Sequence, residues 1–348
     1  MSDVTADPVE EPTSSTPRRS WATARNASLA GLAVYVIATI ILVNADGILL
    51  SRDTIFAWLL VGMLMVSLAD LKGWARGMIF DWLPYFALLF LYDFLRGQVG
   101  QNPIYEPHVM PQIDFDKFLF GGEVPSVWLQ DKLWDPVNID AIDIAAWGVY
   151  VSHFFMVFVI SAFLWRLARP KFLEFRAMVI TLSMAAFATY ALFPAVPPWM
   201  ASDQGAIGPI TRSIGNVWDH LGVGTASAIW GHGSDWANPV AAVPSLHTGF
   251  PVLIMCFFWG TGKKWVRGLC LTYALAMSFT LVYTGEHYVF DIVLGWLYAI
   301  ATFLIVRKVR SAFGSWREKR AGSSDSTAVT PPATAMAAEG SLPRATRD

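Results

Sequence analysis

A chain of 348 residues that is 55% hydrophobic and only 15% charged falls well below the roughly one-quarter charged share of globular domains. Spread over several long apolar runs, that balance excludes an ordinary soluble domain and indicates a polytopic membrane protein. The net charge of -2 carries no message as a total, and Cys256 and Cys270 both sit inside apolar runs, which speaks against a disulfide framework or a thiolate metal site.

The first twenty or so residues, rich in Asp, Glu, Pro, Ser and Thr, bury too little apolar surface to fold, and the same holds for roughly 321–348. The start also lacks the basic-then-apolar order of a cleavable signal. Between the tails, eight apolar segments approach the ~20 residues that cross a bilayer core. They are approximately Leu29–Ile48, Ile55–Leu71, Met78–Leu95, Ile144–Trp165, Ala177–Phe193, Ser245–Gly260, Gly268–Thr284 and Tyr288–Val306. The predicted fold class is therefore an all-α integral membrane protein, a multi-span helical bundle of about eight transmembrane helices. Its predicted parts are a disordered tail over 1–24, two additional transmembrane helices over 25–77, a six-helix core over 78–306, and a basic, then disordered, tail over 307–348.

Basic residues near span ends fix the expected orientation. One side carries Arg18, Arg19 and Arg25, then Lys72 and Arg76, then Arg166, Arg169, Lys171 and Arg176, then Lys263, Lys264 and Arg267, then Arg307, Lys308 and Arg310. The other side carries only Arg52, Arg96, Lys117, Lys132 and Arg212. The alternation predicts a multi-pass protein of the plasma membrane with both termini cytoplasmic. Two long loops, 96–143 and 194–244, then lie outside. The first is acidic, and its Phe115–Phe120 and Val127–Leu133 stretches suit short interfacial helices, with Trp128 and Trp134 at the headgroup level. The second opens with Phe193-Pro194-Ala195-Val196-Pro197-Pro198-Trp199, a run suited to capping a helix and anchoring at the interface. Loops this long are usually functional when they are not linkers.

Two motifs fall on the same outer side. Val243-Pro244-Ser245-Leu246-His247 opens the sixth span, and Gly285-Glu286-His287-Tyr288-Val289-Phe290-Asp291 turns the chain from the seventh into the eighth. Ionisable side chains at a membrane span are costly enough to mark functional sites. His287 and Asp291, four apart, share a helix face, so the carboxylate accepts from one ring nitrogen and leaves the other as nucleophile or base. His247 supplies a second titratable ring that protonates a leaving oxygen. Ser245 and the free N–H groups at the start of the sixth helix suit an anion such as phosphate.

Pro244-Ser245-Leu246-His247 and His287-x-x-x-Asp291 resemble the paired signatures of the type 2 phosphatidic acid phosphatase superfamily. Leu246 and the histidine–tyrosine pair most resemble its inositol phosphotransferase branch, which includes inositol phosphorylceramide synthase. The resemblance spans about Met78 to Val306. It implies a phosphatase-like six-helix core and a phosphohistidine mechanism without metal or cofactor. His287 would attack phosphorus, Asp291 would orient it, His247 would protonate the leaving group and then activate an acceptor or water, and Ser245 would help hold the phosphate. This sequence departs from the phosphatase branch in lacking its K-x6-R-P signature and in having Leu281 where that branch has an arginine.

A phosphate transition state still needs cations. The outer-side candidates are Arg96 first, then Arg212 and Lys117. Asp114 or Asp116 suits a polyol headgroup, and His153, one turn into the fourth span, suits the wall of the site. His108 reads as a packing residue at the membrane edge, and His220 and His232 as solvated loop residues. The implied partners are a lipid phosphate or phospholipid substrate, a polyol acceptor and the bilayer, with no nucleic acid. The expected function is transfer of a phosphoryl or phosphoalcohol group, phosphoinositol among them, from a lipid at the extracytoplasmic face. The alternatives are hydrolysis of a phosphatidic acid-like or polyprenyl phosphate, and a non-catalytic transporter or lipid-binding scaffold.

Overall fold

The structure is a computed structural model that describes residues 18–46, 52–220, 238–261 and 263–325. With no water in a bilayer core, an apolar segment must satisfy every backbone N–H and C=O internally, and a helix does so. The helices are α1 (Arg18–Asp46), α2 (Arg52–Val66), α3 (Leu71–Gly77), α4 (Leu83–Gln101), α5 (Met110–Leu119), α6 (Pro125–Leu133), α7 (Ala141–Leu167), α8 (Arg169–Leu192), α9 (Pro198–Asp203), α10 (Ser213–His220), α11 (Leu246–Phe258), α12 (Lys264–Tyr283) and α13 (Val289–Asp325). A π-helical turn at Met78–Trp82 joins α3 to α4, and a 3-10 turn at Trp259–Thr261 ends α11. No strand occurs among the described residues.

The protein is a helical membrane protein, but its apolar helices are unequal. Leu71–Gln101, Ala141–Leu167, Arg169–Leu192, Lys264–Tyr283 and Val289–Glu318 are long and apolar enough to cross a membrane. Asn26–Leu42, Ala57–Val66 and Leu246–Thr261 are shorter.

Three boundaries differ from the sequence reading. α1 starts at Arg18, so 18–24 is helical rather than disordered, consistent with a stretch free of proline and glycine. The third span begins at Leu71 rather than Met78, where Asp70 accepts the Gly73 N–H at 2.9 Å and caps the helix. α13 continues to Asp325, because 307–325 holds no proline. The chain divides into two compact units, Met1–Val306 and Arg307–Asp348. The disorder expected for 1–17 and 326–348, and His232, fall outside the described residues.

Helices in hydrocarbon associate through close packing and hydrogen bonds, because lipid tails are as apolar as their side chains. α4 packs on α8, α7 on α8 and α12, and α11 on α7, α8 and α12. At one end, Trp82 lies 5.3 Å from both Phe86 and Phe172 by ring centroids. Beside it Asp81, 2% exposed, accepts from Arg169 through both oxygens at 2.7 Å and from Trp165 Nε1 at 3.0 Å. A carboxylate that deep is tolerated only with such partners. Leu83, Phe94, Phe163 and Leu167 point outward, as lipid-facing side chains do.

At the other end the described parts of the two long loops are joined by backbone hydrogen bonds. His108 N–H donates to Pro194 O at 2.8 Å, Val196 N–H to His108 O at 2.9 Å, and Ala195 N–H to Val240 O at 2.7 Å. The two short helices expected in the first loop are α5 and α6, with Phe118 and Trp128 exposed.

Candidate active site

Two backbone features set the site. Ser245 precedes α11, and its N–H donates to Asp291 O at 3.1 Å. A Cβ on Gly295 would stand 2.5 Å from both Ser245 O and Thr248 Oγ1, so only glycine lets α13 approach α11 this closely. Gly285, at φ +74°, turns the chain out of α12, and a Cβ there would meet Ile210 at 2.5 Å. His247 on α11 is thereby brought to His287, which stands two residues before α13.

His287 Nδ1 lies 3.1 Å from Asp291 Oδ2, which also accepts the Tyr288 N–H at 3.0 Å. His247 Nδ1 lies 3.2 Å from His287 Nε2. Since an ionised carboxylate only accepts, His287 carries its hydrogen on Nδ1 and exposes a lone pair at Nε2, and His247 Nδ1 is then the donor N–H. His287 is 6% exposed and Asp291 fully buried, so the pair works in a dry setting where such interactions are strong.

Around this chain, Ser245 Oγ, Asp291 Oδ1 and Arg96 Nε are buried without hydrogen-bond partners. Arg96 on α4 stands 3.8 Å from Asp93 and over the Tyr92 ring. Arg212 donates to both carboxylate oxygens of Glu286, at 2.7 and 3.1 Å, over the Trp199 ring. Both guanidinium charges act on His247. From α7, the His153 ring centroid is 4.2 Å from that of His247, and Tyr150 stacks on His247 at 5.2 Å. A narrow crevice of about 50 Å³, lined by Tyr92, Asp93, His153, Phe154, Val157 and Phe250 among others, opens beside them.

The family model described as the PAP2 superfamily matches residues 135–305, which hold both histidines and Asp291. That stretch is similar to the PAP2 superfamily. Phosphoinositol dihydroceramide synthase of Bacteroides thetaiotaomicron is 27% identical over 260 residues, covering 66% of this chain and 79% of that protein. Inositol phosphorylceramide synthase of Candida albicans is 26% identical over 242 residues, covering 64% of this chain and 46% of that protein, so the chain spans less than half of the fungal relative. These relatives bear out the likeness to the inositol phosphotransferase branch read from the motifs. No solved structure gives a significant match. The family match begins within the loop before α7, so Arg96 on α4 precedes it.

Of the residues singled out in the sequence, His247, His287, Asp291, Ser245, Arg96, Arg212 and His153 gather in one region. Asp114 and Lys117 do not. Gln112, Ile113 and Asp116 form the buried face of α5, which turns Asp114 and Lys117 outward, away from the site. His153 packs in the site rather than at the membrane edge alone, and His108 stacks on Phe193 at 4.0 Å. Pro198 does begin α9, but Trp199 goes further than an interface anchor, since its N–H donates to Gly285 O at 3.2 Å.

Sequence reasoning missed the supports. Gln130 on α6 donates to Thr211 O at 2.7 Å and to Tyr283 O at 2.9 Å while accepting the Thr211 N–H, clamping the second loop to the end of α12. Asp116 accepts the N–H groups of Val289 and Phe290 at 3.0 Å each and so caps α13 from another element. The apolar-and-polar spacing of 112, 113 and 116 was the available signal for its burial.

Burial raises the Asp116 carboxyl to about 6, with the Asp291 charge adding to the rise and the two N–H donors opposing it. Because the folded value lies above the unfolded one, the folded state binds the extra proton between about pH 4 and 6. The contribution of Asp116 to stability is therefore full below about pH 4 and is lost as pH rises through about 6. Melting of wild type and Asp116→Asn from pH 4 to 7 tests this. The stability advantage of wild type over the variant is expected to shrink across that window, and a constant difference would count against it.

Proposed function

We propose that this protein transfers a phosphoalcohol group from a lipid donor to an alcohol acceptor through a phosphohistidine on His287. The observation that carries the reading is the Asp291–His287–His247 chain, with contacts of 3.1 and 3.2 Å, in a buried site that holds spare polar groups on Ser245 and Arg96. Its names for donor and acceptor come from the relatives, a phosphoinositol group and a ceramide-type alcohol.

In the first step His287 Nε2 attacks phosphorus. An N–P bond forms, the P–O bond to the donor lipid breaks, and the leaving oxygen takes the Nδ1 proton of His247, which enters the step as the imidazolium and leaves it neutral. Asp291 stabilises the positive charge that develops on the His287 ring. For this, His247 turns its N–H from His287 Nε2 toward the leaving oxygen. In the second step His247, now neutral, takes the proton of the acceptor hydroxyl, whose oxygen attacks phosphorus and releases His287. Ser245 Oγ and Arg96 supply donors to the phosphate oxygens. The narrow crevice beside His153 receives apolar substrate chain from the bilayer side, and the joined loops exclude water, which favours transfer over hydrolysis.

The basic residues near the described helix ends cluster at the end opposite the histidines, from Lys72 and Arg76 through Arg166 to Lys263 and Arg267, which supports an extracytoplasmic site in the plasma membrane and cytoplasmic termini. On this reading, residues 78–306 form the phosphotransferase core, and 25–77 add two helices to it.

The test uses the purified full chain in mixed micelles with phosphatidylinositol labelled in its headgroup, with and without a ceramide. Label moving into the ceramide product is expected. Label released only to water at the same rate with or without ceramide would make the protein a hydrolase, and no turnover of either kind would favour a non-catalytic scaffold.

A further inference from the structure

A second cavity, of about 590 Å³, lies at the other end of the molecule, between the end of α2, α3, the π-helical turn and the junction of α7 with α8. Positions 81 and 96 lie on one continuous helix, and at 1.5 Å rise per residue they are separated by roughly 22 Å. This cavity is therefore no extension of the histidine site.

Its walls carry three cations, Arg76, Arg166 and Arg169, and two carboxylates, Asp70 and Asp81. Arg169 pairs with Asp81, and Arg176 donates to the Asp81 backbone carbonyl at 2.6 Å. Asp70 is engaged in capping α3. Arg76 and Arg166 form no ion pair among the described residues, so the cavity is left electropositive. The indole Nε1 of Trp74, also in its wall, is buried without a hydrogen-bond partner. The helix surface next to it is apolar. Phe80 in the wall is 64% exposed, and the adjacent Ile79 and Leu83 are 56% and 62% exposed.

Cations and an N–H donor in the walls, with bare apolar side chains on the adjoining helix surface, match an amphiphile with an anionic head better than a free ion. We propose that this cavity holds the phosphate headgroup of an anionic phospholipid, distinct from the reacting lipid, with its acyl chains along Ile79, Phe80 and Leu83. Arg76 and Arg166 pair with the phosphate, and Trp74 Nε1 donates to one of its oxygens.

The readout is bound lipid, so it stands apart from transfer activity. The full chain is placed in phosphatidylcholine nanodiscs containing a minor share of phosphatidylglycerol, and the phosphatidylglycerol retained after extraction into mild detergent is counted by native mass spectrometry. Wild type is expected to retain it. Arg76→Gln with Arg166→Gln is expected to weaken retention about fivefold for each arginine neutralised. Lys263→Gln with Lys264→Gln, another basic segment, is expected to leave retention unchanged. Equal retention in all three proteins, or equal loss in both variants, would overturn the proposal. Displacement of the lipid by inorganic phosphate would assign the cavity to a soluble anion instead. Trp74→Phe, which removes one N–H and keeps the ring, is expected to weaken retention severalfold and serves if the double variant fails to fold.

Discussion

Replacing His287 with alanine is expected to lower transfer by about 10⁴-fold or more while leaving the protein folded. His287 makes two polar side-chain contacts, to Asp291 and His247, and the backbone that holds α11 against α13 does not depend on its ring. Asp291→Asn is expected to lose about 10³- to 10⁴-fold by a different route. The amide oxygen keeps both contacts of Oδ2, to the Tyr288 N–H and to His287 Nδ1, but the negative charge that stabilises the His287 ring as it becomes cationic is gone. His247→Ala removes the proposed general acid and is expected to cost about 10²- to 10⁴-fold. Because the three act as one unit, the His247→Ala/His287→Ala double variant should be scarcely worse than the worse single. Rapid-quench labelling gives a second readout: wild type should hold headgroup label in an N–P linkage, stable to base and labile to acid, and His287→Ala should hold none. Unchanged turnover in His287→Ala, or label retained by it, would sink the phosphohistidine mechanism.

The helical class and the motif pair were legible because each is a local property. A run of apolar residues reports its own burial, and His287 and Asp291 share a face at a spacing of four whatever surrounds them. The meeting of His247 with His287 needed only alternating spans and one turn. The shell around them was harder. Asp116 caps a helix more than 170 positions away, which requires the first loop to fold back over α13, and no local pattern dictates that. Gln130 is similar, joining α6 to Thr211 and Tyr283. Reading the acidic loop by charge alone offered Asp114 and Asp116 equally to a headgroup, whereas a ten-residue helix such as α5 has a buried side, which holds Asp116, and an exposed one, which holds Asp114. Helix ends shifted where a cap or the absence of proline extended a turn past the apolar run, as at Arg18, Leu71 and Asp325. Sequence alone ranked the outer cations by position, and the hydrogen bonds each makes now separate them.

Arg96 and Arg212 both act on His247, yet they differ in what remains available. Arg212 spends two of its donors on Glu286, a carboxylate that is only 6% exposed, so the pair is close to neutral and held in one geometry. Arg96 has a longer contact, 3.8 Å to Asp93, and a buried Nε with no acceptor. A buried donor without a partner is costly unless a substrate oxygen supplies one, so we propose Arg96 as the cation that meets the phosphate. Arg96→Ala is accordingly expected to lower kcat by about 10²- to 10³-fold with little change in melting temperature, the cost of losing one donor to a developing oxyanion. Arg96→Lys keeps the charge but not the planar fork, and should fall between. Arg212→Ala should act mainly on stability, since it strands the Glu286 carboxylate. A fully buried pair broken this way costs about 3–5 kcal/mol, and the 38% exposure of the Arg212 side chain lowers the expectation toward about 2 kcal/mol. Arg212→Met with Glu286→Gln removes both charges and should recover most of that loss. Kinetics and melting measured on the same preparations decide the matter. A large kcat loss at unchanged stability in Arg212→Ala, with near-normal turnover in Arg96→Ala, would exchange the two roles and make Glu286 the residue that positions the phosphate-binding guanidinium.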